Sequence, residues 1–273
     1  MSTARPRPDG DFLREVLIDR SRLVRHKTQL TGYPWTLPVV AQLMRTQDRR
    51  GRGLELAPGV TFLVGDNGTG KSTLLEALAV ATGMNPEGGS RDTSFATRST
   101  DSPLGRYLTL VHGRGVERTT FFLRAESLYN VATVVERLQA ELPQGWQSFG
   151  DVPLHGQSHG ELFLALLRHR CTPGGLYLLD EPESALSPRG LLTAIALLHA
   201  TVQQGSQCVI ATHSPVLLAL PGARILQIDA QGLVEQVSYD QCAPVVQTRR
   251  FLRDPAAGLA ELLDVDPQDT QRG

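Results

Sequence analysis

The sequence is poor in cysteine and has no long apolar run, and both shortages narrow what the chain can be. Its three cysteines, Cys171, Cys208 and Cys242, lack the spacing of a metal site, and their odd number favours free thiols in a reducing compartment. No window approaches the roughly 18 consecutive apolar residues of a transmembrane helix, so we expect no membrane insertion. The first eleven residues have no apolar core and do not resemble a secretory signal. The sequence therefore predicts a cytoplasmic protein.

Lysine is also scarce, and its placement is informative. Of 27 basic residues only Lys27 and Lys71 are lysines. In a chain that otherwise uses arginine, a lysine indicates a position that requires a compact ammonium group. The net charge of −1 gives no overall attraction to nucleic acid or membranes, although residues 1–52 hold eleven basic and five acidic side chains. That surplus fits either an ordinary arginine-rich surface or a face for nucleic acid or an acidic partner. Its candidate contacts are Arg45, Arg49, Arg50 and Arg52.

One of the two lysines lies in a glycine-rich loop between a predicted strand at Val60–Val64 and a predicted helix at Thr73–Met84. Such a loop binds phosphates through inward-turned backbone N–H groups and the positive end of the following helix. In this pattern Lys71 reaches the β- and γ-phosphates and the Ser72 hydroxyl is a ligand of Mg²⁺. The predicted binding residues are Gly65, Asp66, Asn67, Gly68, Thr69, Gly70, Lys71, Ser72 and Thr73. The sequence therefore predicts a site for ATP and Mg²⁺.

A pair of carboxylates follows a second apolar strand, Leu176–Leu179. We expect this strand beside the phosphate-loop strand, where Asp180 would hold the Mg²⁺ shell as a Walker-B aspartate does. Glu181 would then point towards the γ-phosphate and accept a proton from the attacking water. Taken alone, the same pair would also fit an ordinary strand-end turn with solvated acids; the phosphate loop and the later motifs favour the metal and catalytic roles.

Strands and helices alternate along the chain, which favours an α/β fold with a parallel sheet core. Neither an internal repeat nor a sustained heptad pattern is present, and residues 85–105 are typical of an irregular excursion. Further strands are predicted at Tyr107–Val111, Thr119–Leu123, Gln207–Ala211, Ile225–Ile228 and Leu233–Val237, and helices at Val131–Leu142, Ser158–Arg168 and Pro188–Gln203.

The ordered set of motifs resembles the ATP-binding-cassette superfamily of P-loop NTPases, and within it small stand-alone bacterial ATPases related to the SMC-like and RecF-like branch. After the phosphate loop come Ser158–Glu161, Asp180–Glu181, Ser184–Ser187 and His213; the blocks Phe122–Ser127, Gln157–Glu161 and Ile210–Pro215 carry the closer similarity. The resemblance implies one ATPase domain over residues 1–273, with a helical signature subdomain inserted at about 126–170. It also implies a mixed, mainly parallel sheet with flanking helices and an antiparallel β portion.

The resemblance further implies Mg²⁺-dependent hydrolysis of ATP to ADP and phosphate by an ATP-dependent homodimer. Ser158 and Gly160 would form the signature loop, which acts on the ATP held by the other protomer. Residues Glu183–Ser187 would be the D-loop at the dimer seam. His213 would be the switch histidine, which contacts the γ-phosphate and the catalytic water; with Glu181 it makes up the implied catalytic pair.

Several positions depart from the family pattern. The signature has Ser-His-Gly-Glu where transporters have Ser-Gly-Gly-Gln, and Glu126 or Ser127 stands where a Q-loop glutamine is expected. The adenine platform is either Tyr33 or Trp35. The altered signature and the missing Q-loop glutamine favour an ATP-driven switch acting on nucleic acid or a protein partner over the alternative of a transporter ATPase subunit. The family resemblance suggests a DNA repair or defence setting for such a switch. The order of motifs argues against a small-molecule kinase.

Overall fold

A computed structural model describes residues 10–90, 102–133 and 157–263, and within these ranges it contains two β-sheets. A six-stranded sheet has the order β5-β6-β7-β3-β8-β9, and a three-stranded sheet has the order β2-β1-β4. The strands are β1 (Leu13–Ile18), β2 (Leu54–Glu55), β3 (Val60–Gly65), β4 (Leu108–His112), β5 (Thr119–Arg124), β6 (Gly175–Asp180), β7 (Gln207–Ala211), β8 (Arg224–Ile228) and β9 (Val234–Val237).

The helices of the described ranges include two that connect neighbouring parallel strands of the larger sheet. The helices are α1 (Arg20–Arg25), α2 (Pro38–Arg50), α3 (Lys71–Ala81), α4 (His159–Arg170), α5 (Pro188–Gln203), α6 (Ala243–Arg253) and α7 (Pro255–Leu263). Of these, α4 connects β5 to β6 and α5 connects β6 to β7. Residues 128–133 are also helical, and the rest of the predicted helix Val131–Leu142 lies outside the described residues. None of the helices in the described ranges is long and apolar enough to cross a membrane.

The larger sheet is mainly parallel, as predicted. Strands β5, β6, β7, β3 and β8 run parallel to one another, and only the edge strand β9 pairs antiparallel, in a hairpin with β8. The expected placement of the acidic strand was wrong in one respect: β7 lies between β3 and β6, so the strand that ends at Asp180 is one strand removed from the phosphate-loop strand. Since parallel strands end at one edge, the loops after β3, β7 and β6 still converge.

The core has two layers, one on each face of the larger sheet. Alternate residues of a strand point to opposite faces, so Phe62 joins one buried cluster with residues of α4 and α5, whereas Leu63 joins another with residues of α3. Both side chains are fully buried, and burial of each contributes roughly 1.5–3 kcal/mol. This two-sided burial explains why the parallel strands are continuously apolar instead of alternating.

The antiparallel β portion is the three-stranded sheet, in which β1 pairs with both β2 and β4. One buried side chain joins it to the larger sheet. The carbonyl oxygen of Gln207 accepts from the backbone N–H groups of Phe12 (3.0 Å) and Leu13 (2.8 Å). Its amide nitrogen donates to the backbone carbonyls of Leu13 (2.7 Å) and Ala57 (2.8 Å). The start of β7 is thereby bonded to β1 and to the residues next to β1 and β2 by four buried hydrogen bonds.

Candidate functional site

The phosphate loop connects β3 to α3, as its motif predicted. Gly70 precedes the helix with a φ of +99°, in the left-handed region that favours glycine. A side chain there would also collide with Val39, since an added Cβ would lie 2.9 Å from its Cγ1. Unlike the serine-capped helices α4 and α5, α3 has no side-chain cap. Its first backbone N–H groups are therefore open to an anionic ligand.

Lys71 is folded back onto its own loop. Its Nζ donates to the backbone carbonyls of Gly65 (2.6 Å) and Asp66 (3.0 Å), and its side chain is buried. Burial lowers the pKa of the Lys71 ammonium, while the carboxylates of Glu181 and Asp180 act in the opposite direction. An ammonium held only by carbonyl oxygens is ready to move to phosphate oxygens, which are stronger partners because they carry charge.

Ser72 and Asp180 are brought together, as a shared metal site requires. The Ser72 hydroxyl donates to Oδ1 of Asp180 at 2.9 Å. Burial is the largest influence on Asp180 and raises the pKa of its carboxyl from 3.8 to about 6, whereas Arg124 and the Ser72 hydroxyl oppose the rise. A hydroxyl and a carboxylate are the hard oxygen ligands that Mg²⁺ prefers. These two residues therefore fit the predicted ion.

Glu181 has an unusual backbone conformation. Its φ of 47° and ψ of 53° place it in the left-handed region, which a residue with a side chain rarely adopts. The conformation is fixed on both sides: its N–H donates to Ala211 O at 3.0 Å, and its carbonyl accepts from the N–H (3.1 Å) and hydroxyl (2.6 Å) of Ser184. Backbone conformations of this kind cost roughly 1–3 kcal/mol and are concentrated at functional sites, where they fix the direction of a side chain.

His213 follows β7, between the ends of β3 and β6. Its backbone N–H donates to Oε1 of Glu183 at 2.6 Å, which joins the predicted switch histidine to the predicted D-loop. The ring Nε2 and the second carboxylate oxygen of Glu183 are both buried without a hydrogen-bond partner. Buried polar atoms without partners are uncommon and indicate a site that a ligand or water completes.

The signature residues lie elsewhere. Ser158 and Gly160 line a cleft of about 600 Å³ together with Ala185–Ser187 of the predicted D-loop. Ser158 caps α4, and both its N–H (2.9 Å) and its hydroxyl (2.7 Å) donate to the Glu161 carboxylate. Within the described residues, none of the hydrogen bonds or ion pairs joins this group to the phosphate loop. The predicted site residues thus form two groups, and none of the phosphate-loop residues lines the cleft that holds Ser158 and Gly160.

The two Q-loop candidates have different environments. Glu126 is 88% exposed and lies 3.8 Å from Arg124, whereas the Ser127 hydroxyl is buried without a hydrogen-bond partner. Sequence reasoning overlooked Arg124 itself, which approaches Glu76, Glu126 and Asp180. The sequence alone held no signal for this role, because Arg124 acquires it only when the end of β5 lies in register with Asp180 at the end of β6.

The two adenine-platform candidates are also distinguished. Trp35 is buried in the core, where its ring packs edge-on against Tyr107 with 5.4 Å between centroids. Tyr33 is 60% exposed, and its hydroxyl lies 3.4 Å from the Thr73 hydroxyl at the start of α3. Of the two rings, only that of Tyr33 is free to stack on a nucleotide base.

Two family models match the parts of the chain that hold the predicted site residues. The family model "AAA domain, putative AbiEii toxin, Type IV TA system" matches residues 150–219, and the model "AAA domain" matches residues 49–124. Among solved structures, the SMC head domain from Thermotoga maritima matches with a TM-score of 0.37 and 16% identity, over 68% of this chain and 92% of that one.

Curated relatives match over most of their length. The cytochrome c biogenesis ATP-binding export protein CcmA of Cupriavidus necator is 31% identical over 213 residues, which are 72% of this chain and 90% of the relative. CcmA 2 of Cupriavidus metallidurans is 30% identical over 206 residues, covering 71% and 90%. With its P-loop α/β fold and this similarity, the chain belongs to the ATP-binding-cassette family and is an ATPase.

Proposed function

We propose that the protein is a cytoplasmic ATP-driven switch that hydrolyses ATP, with Mg²⁺, between the two protomers of a homodimer. The proposal is supported most strongly by the cleft of Ser158 and Gly160, because none of the phosphate-loop residues lines it. One protomer supplies Lys71, Ser72, Asp180 and Glu181, but its own Ser158 belongs to a different group. A second protomer that presents Ser158 and the end of α4 would complete the contacts to the γ-phosphate.

The roles of the residues follow from their positions. Lys71 leaves the carbonyls of its loop for the β- and γ-phosphates, while Ser72 and Asp180 hold Mg²⁺, which neutralises phosphate charge when bound. Glu181 accepts the proton of the attacking water. The Nε2 of His213, which has no hydrogen-bond partner in the structure, donates to the γ-phosphate or accepts from the attacking water. Tyr33 stacks on the adenine.

The decisive experiment is light scattering of the Glu181→Gln protein with ATP, with ADP and without nucleotide. We expect a dimer with ATP, and a monomer or looser dimer otherwise, because hydrolysis removes the phosphate that bridges the protomers. Ser158→Arg in the same background should stay folded, bind ATP and remain monomeric. Loss of its helix cap costs only about 0.5–2 kcal/mol.

Ser238→Arg is a matched control, because Ser238 caps another exposed turn through a side-chain bond to Gln241. It should dimerise like the Glu181→Gln parent. A mass that is equal in all three nucleotide states, combined with full ATP turnover by the Ser158→Arg single variant with Glu181 intact, would exclude the shared-site mechanism.

The switch would act on nucleic acid or a protein partner, in a DNA repair or defence setting. Arg45 and Arg52 are exposed in the structure, while the side chains of Arg49 and Arg50 lie outside its description. Binding through such arginines must weaken steeply with salt, because phosphate contacts release counterions. Absence of DNA or RNA binding at low salt, with ATP present, would favour a protein partner.

A second candidate is an ATPase subunit of an export system, which the names of the curated relatives suggest. It predicts that the Glu181→Gln protein, in cells with ATP, copurifies with an integral membrane protein. The two candidates are separated by affinity purification of this variant followed by identification of protein and nucleic acid. A membrane protein in stoichiometric amount would support the export role and overturn the proposed switch.

A further inference from the structure

Arg124 lies among three carboxylates at the carboxyl edge of the larger sheet. Its Nη1 is 3.4 Å from Glu76 Oε2 on α3, its Nε is 3.4 Å from Asp180 Oδ2 at the end of β6, and its Nη2 is 3.8 Å from Glu126 Oε2 in the loop after β5. Its side chain is 22% exposed, those of Glu76 and Asp180 13% and 6%. A positive charge therefore lies against the carboxylate assigned to Mg²⁺.

The contact between Arg124 and Asp180 is an ion pair without a directed hydrogen bond. Nε of Arg124 is buried and has no hydrogen-bond partner, although Asp180 Oδ2 is within 3.4 Å. The other oxygen, Oδ1, accepts from Ser72. Because charge alone holds this contact, a stronger cation can replace Arg124 without breaking a hydrogen bond to Asp180.

We propose that Arg124 is the resident counter-ion of the metal-binding carboxylate, and that it sets how tightly the site takes up Mg²⁺. Before nucleotide binds, Arg124 balances the charge of Asp180 and keeps the carboxylate turned towards Ser72. When Mg²⁺ arrives with ATP, Arg124 gives up Asp180 and stays paired with Glu76 and Glu126. Arg124 is thus a positioning residue; the inference rests on the proposed Mg²⁺ site at Ser72 and Asp180.

The proposal predicts effects of opposite sign for two ligands. A cation beside Asp180 repels Mg²⁺ but attracts the phosphates of metal-free ATP. Removal of the Arg124 charge should therefore tighten Mg²⁺ uptake and weaken the binding of ATP in EDTA. Removal of the Glu76 charge should strengthen the ion pair between Arg124 and Asp180, because Arg124 loses a competing carboxylate. The stronger pair should weaken Mg²⁺ uptake. A purely structural role for Arg124 predicts that both ligands bind more weakly.

The experiment measures ATP binding to the full chain in the Glu181→Gln background, by calorimetry in EDTA and by melting temperature across a Mg²⁺ titration at fixed ATP. For Arg124→Gln we expect the half-saturating Mg²⁺ concentration to fall at least about fivefold, and the ATP affinity in EDTA to fall at least about threefold. Glu76→Gln should raise that Mg²⁺ concentration at least about threefold; its amide oxygen can still accept from the Ser102 N–H, which lies 2.8 Å from Glu76 Oε1.

Two further variants keep the test independent of folding. Arg124→Lys retains the charge and should bind both ligands nearly like the parent. Arg118→Gln removes the same charge from the opposite end of β5, where the residue is exposed, and should change neither value. If Arg124→Gln weakens both ligands, or Arg124→Lys behaves like Arg124→Gln, the proposal is wrong. If Mg²⁺ does not strengthen ATP binding by the parent itself, the proposed metal site fails, which is a different result.

Discussion

Replacing Asp180 by asparagine should remove a ligand of the proposed Mg²⁺ site and raise the free energy of unfolding by an amount that depends on pH. The folded protein must keep a buried carboxylate whose pKa is raised from 3.8 to about 6. Since one pKa unit corresponds to 1.36 kcal/mol, ionisation of Asp180 lowers the free energy of unfolding by about 3 kcal/mol at high pH. The stability that the neutral Asp180 carboxyl contributes is fully present below about pH 4, and it is lost as the pH rises through 6 and the folded protein ionises. Between pH 5 and pH 8 the loss is about 1.4 kcal/mol.

The assay is urea unfolding in EDTA, without nucleotide, at pH 5 and pH 8. Asparagine keeps an oxygen for the Ser72 hydroxyl but has no charge, so the variant lacks this pH-dependent loss. The stability of Asp180→Asn relative to the wild type should therefore increase by about 1.4 kcal/mol from pH 5 to pH 8. Mg²⁺ with ATP should then stabilise the wild type more than the variant. A stability difference that is constant, or larger at pH 5, would refute the reasoning.

Three other substitutions test separate parts of the site. Lys71→Ala should abolish tight ATP binding in calorimetry, because it loses charge-assisted phosphate contacts worth roughly 1.5–3 kcal/mol each; unchanged affinity would contradict the P-loop assignment. His213→Ala should slow steady-state ATP turnover with a smaller effect on ATP affinity, and equal losses in both would contradict a role near the catalytic water. Tyr33→Ala should weaken ATP binding about tenfold while Tyr33→Phe retains it, because base stacking needs the ring and not the hydroxyl; equal losses would contradict stacking.

Local patterns predicted the elements that carry the nucleotide motifs. Strands β3, β6 and β7 are short apolar runs with clear boundaries, and Pro188–Gln203 is helical over the predicted range. Their burial on both faces of the sheet is the physical reason for the continuous apolar pattern. The antiparallel portion, in contrast, was expected from family resemblance, since β1 begins in a charged stretch that carries little strand pattern.

Long-range arrangement was harder to predict, since strand order depends on pairing between distant segments. No local feature of Gln207–Ala211 shows that β7 lies between β3 and β6. Likewise, the charge of Arg124 becomes meaningful only when its strand is aligned with that of Asp180, 56 positions further along the chain. The exposed helices α6 and α7 were not predicted, because only Val245 and Ala260 of their residues are buried.

The Gln207 side chain restricts how the molecule can move. A carboxamide has both an acceptor and two donor hydrogens, and here each hydrogen of the amide and both lone-pair directions of the oxygen are used. A hinge between the two sheets would leave several backbone groups buried without partners, at about 1–3 kcal/mol for each. The two sheets should therefore rotate as one rigid body through the ATPase cycle. We expect nucleotide-driven motion in α4 and the cleft at its start. Among the described residues, no set of buried hydrogen bonds like that of Gln207 joins this region to the phosphate loop.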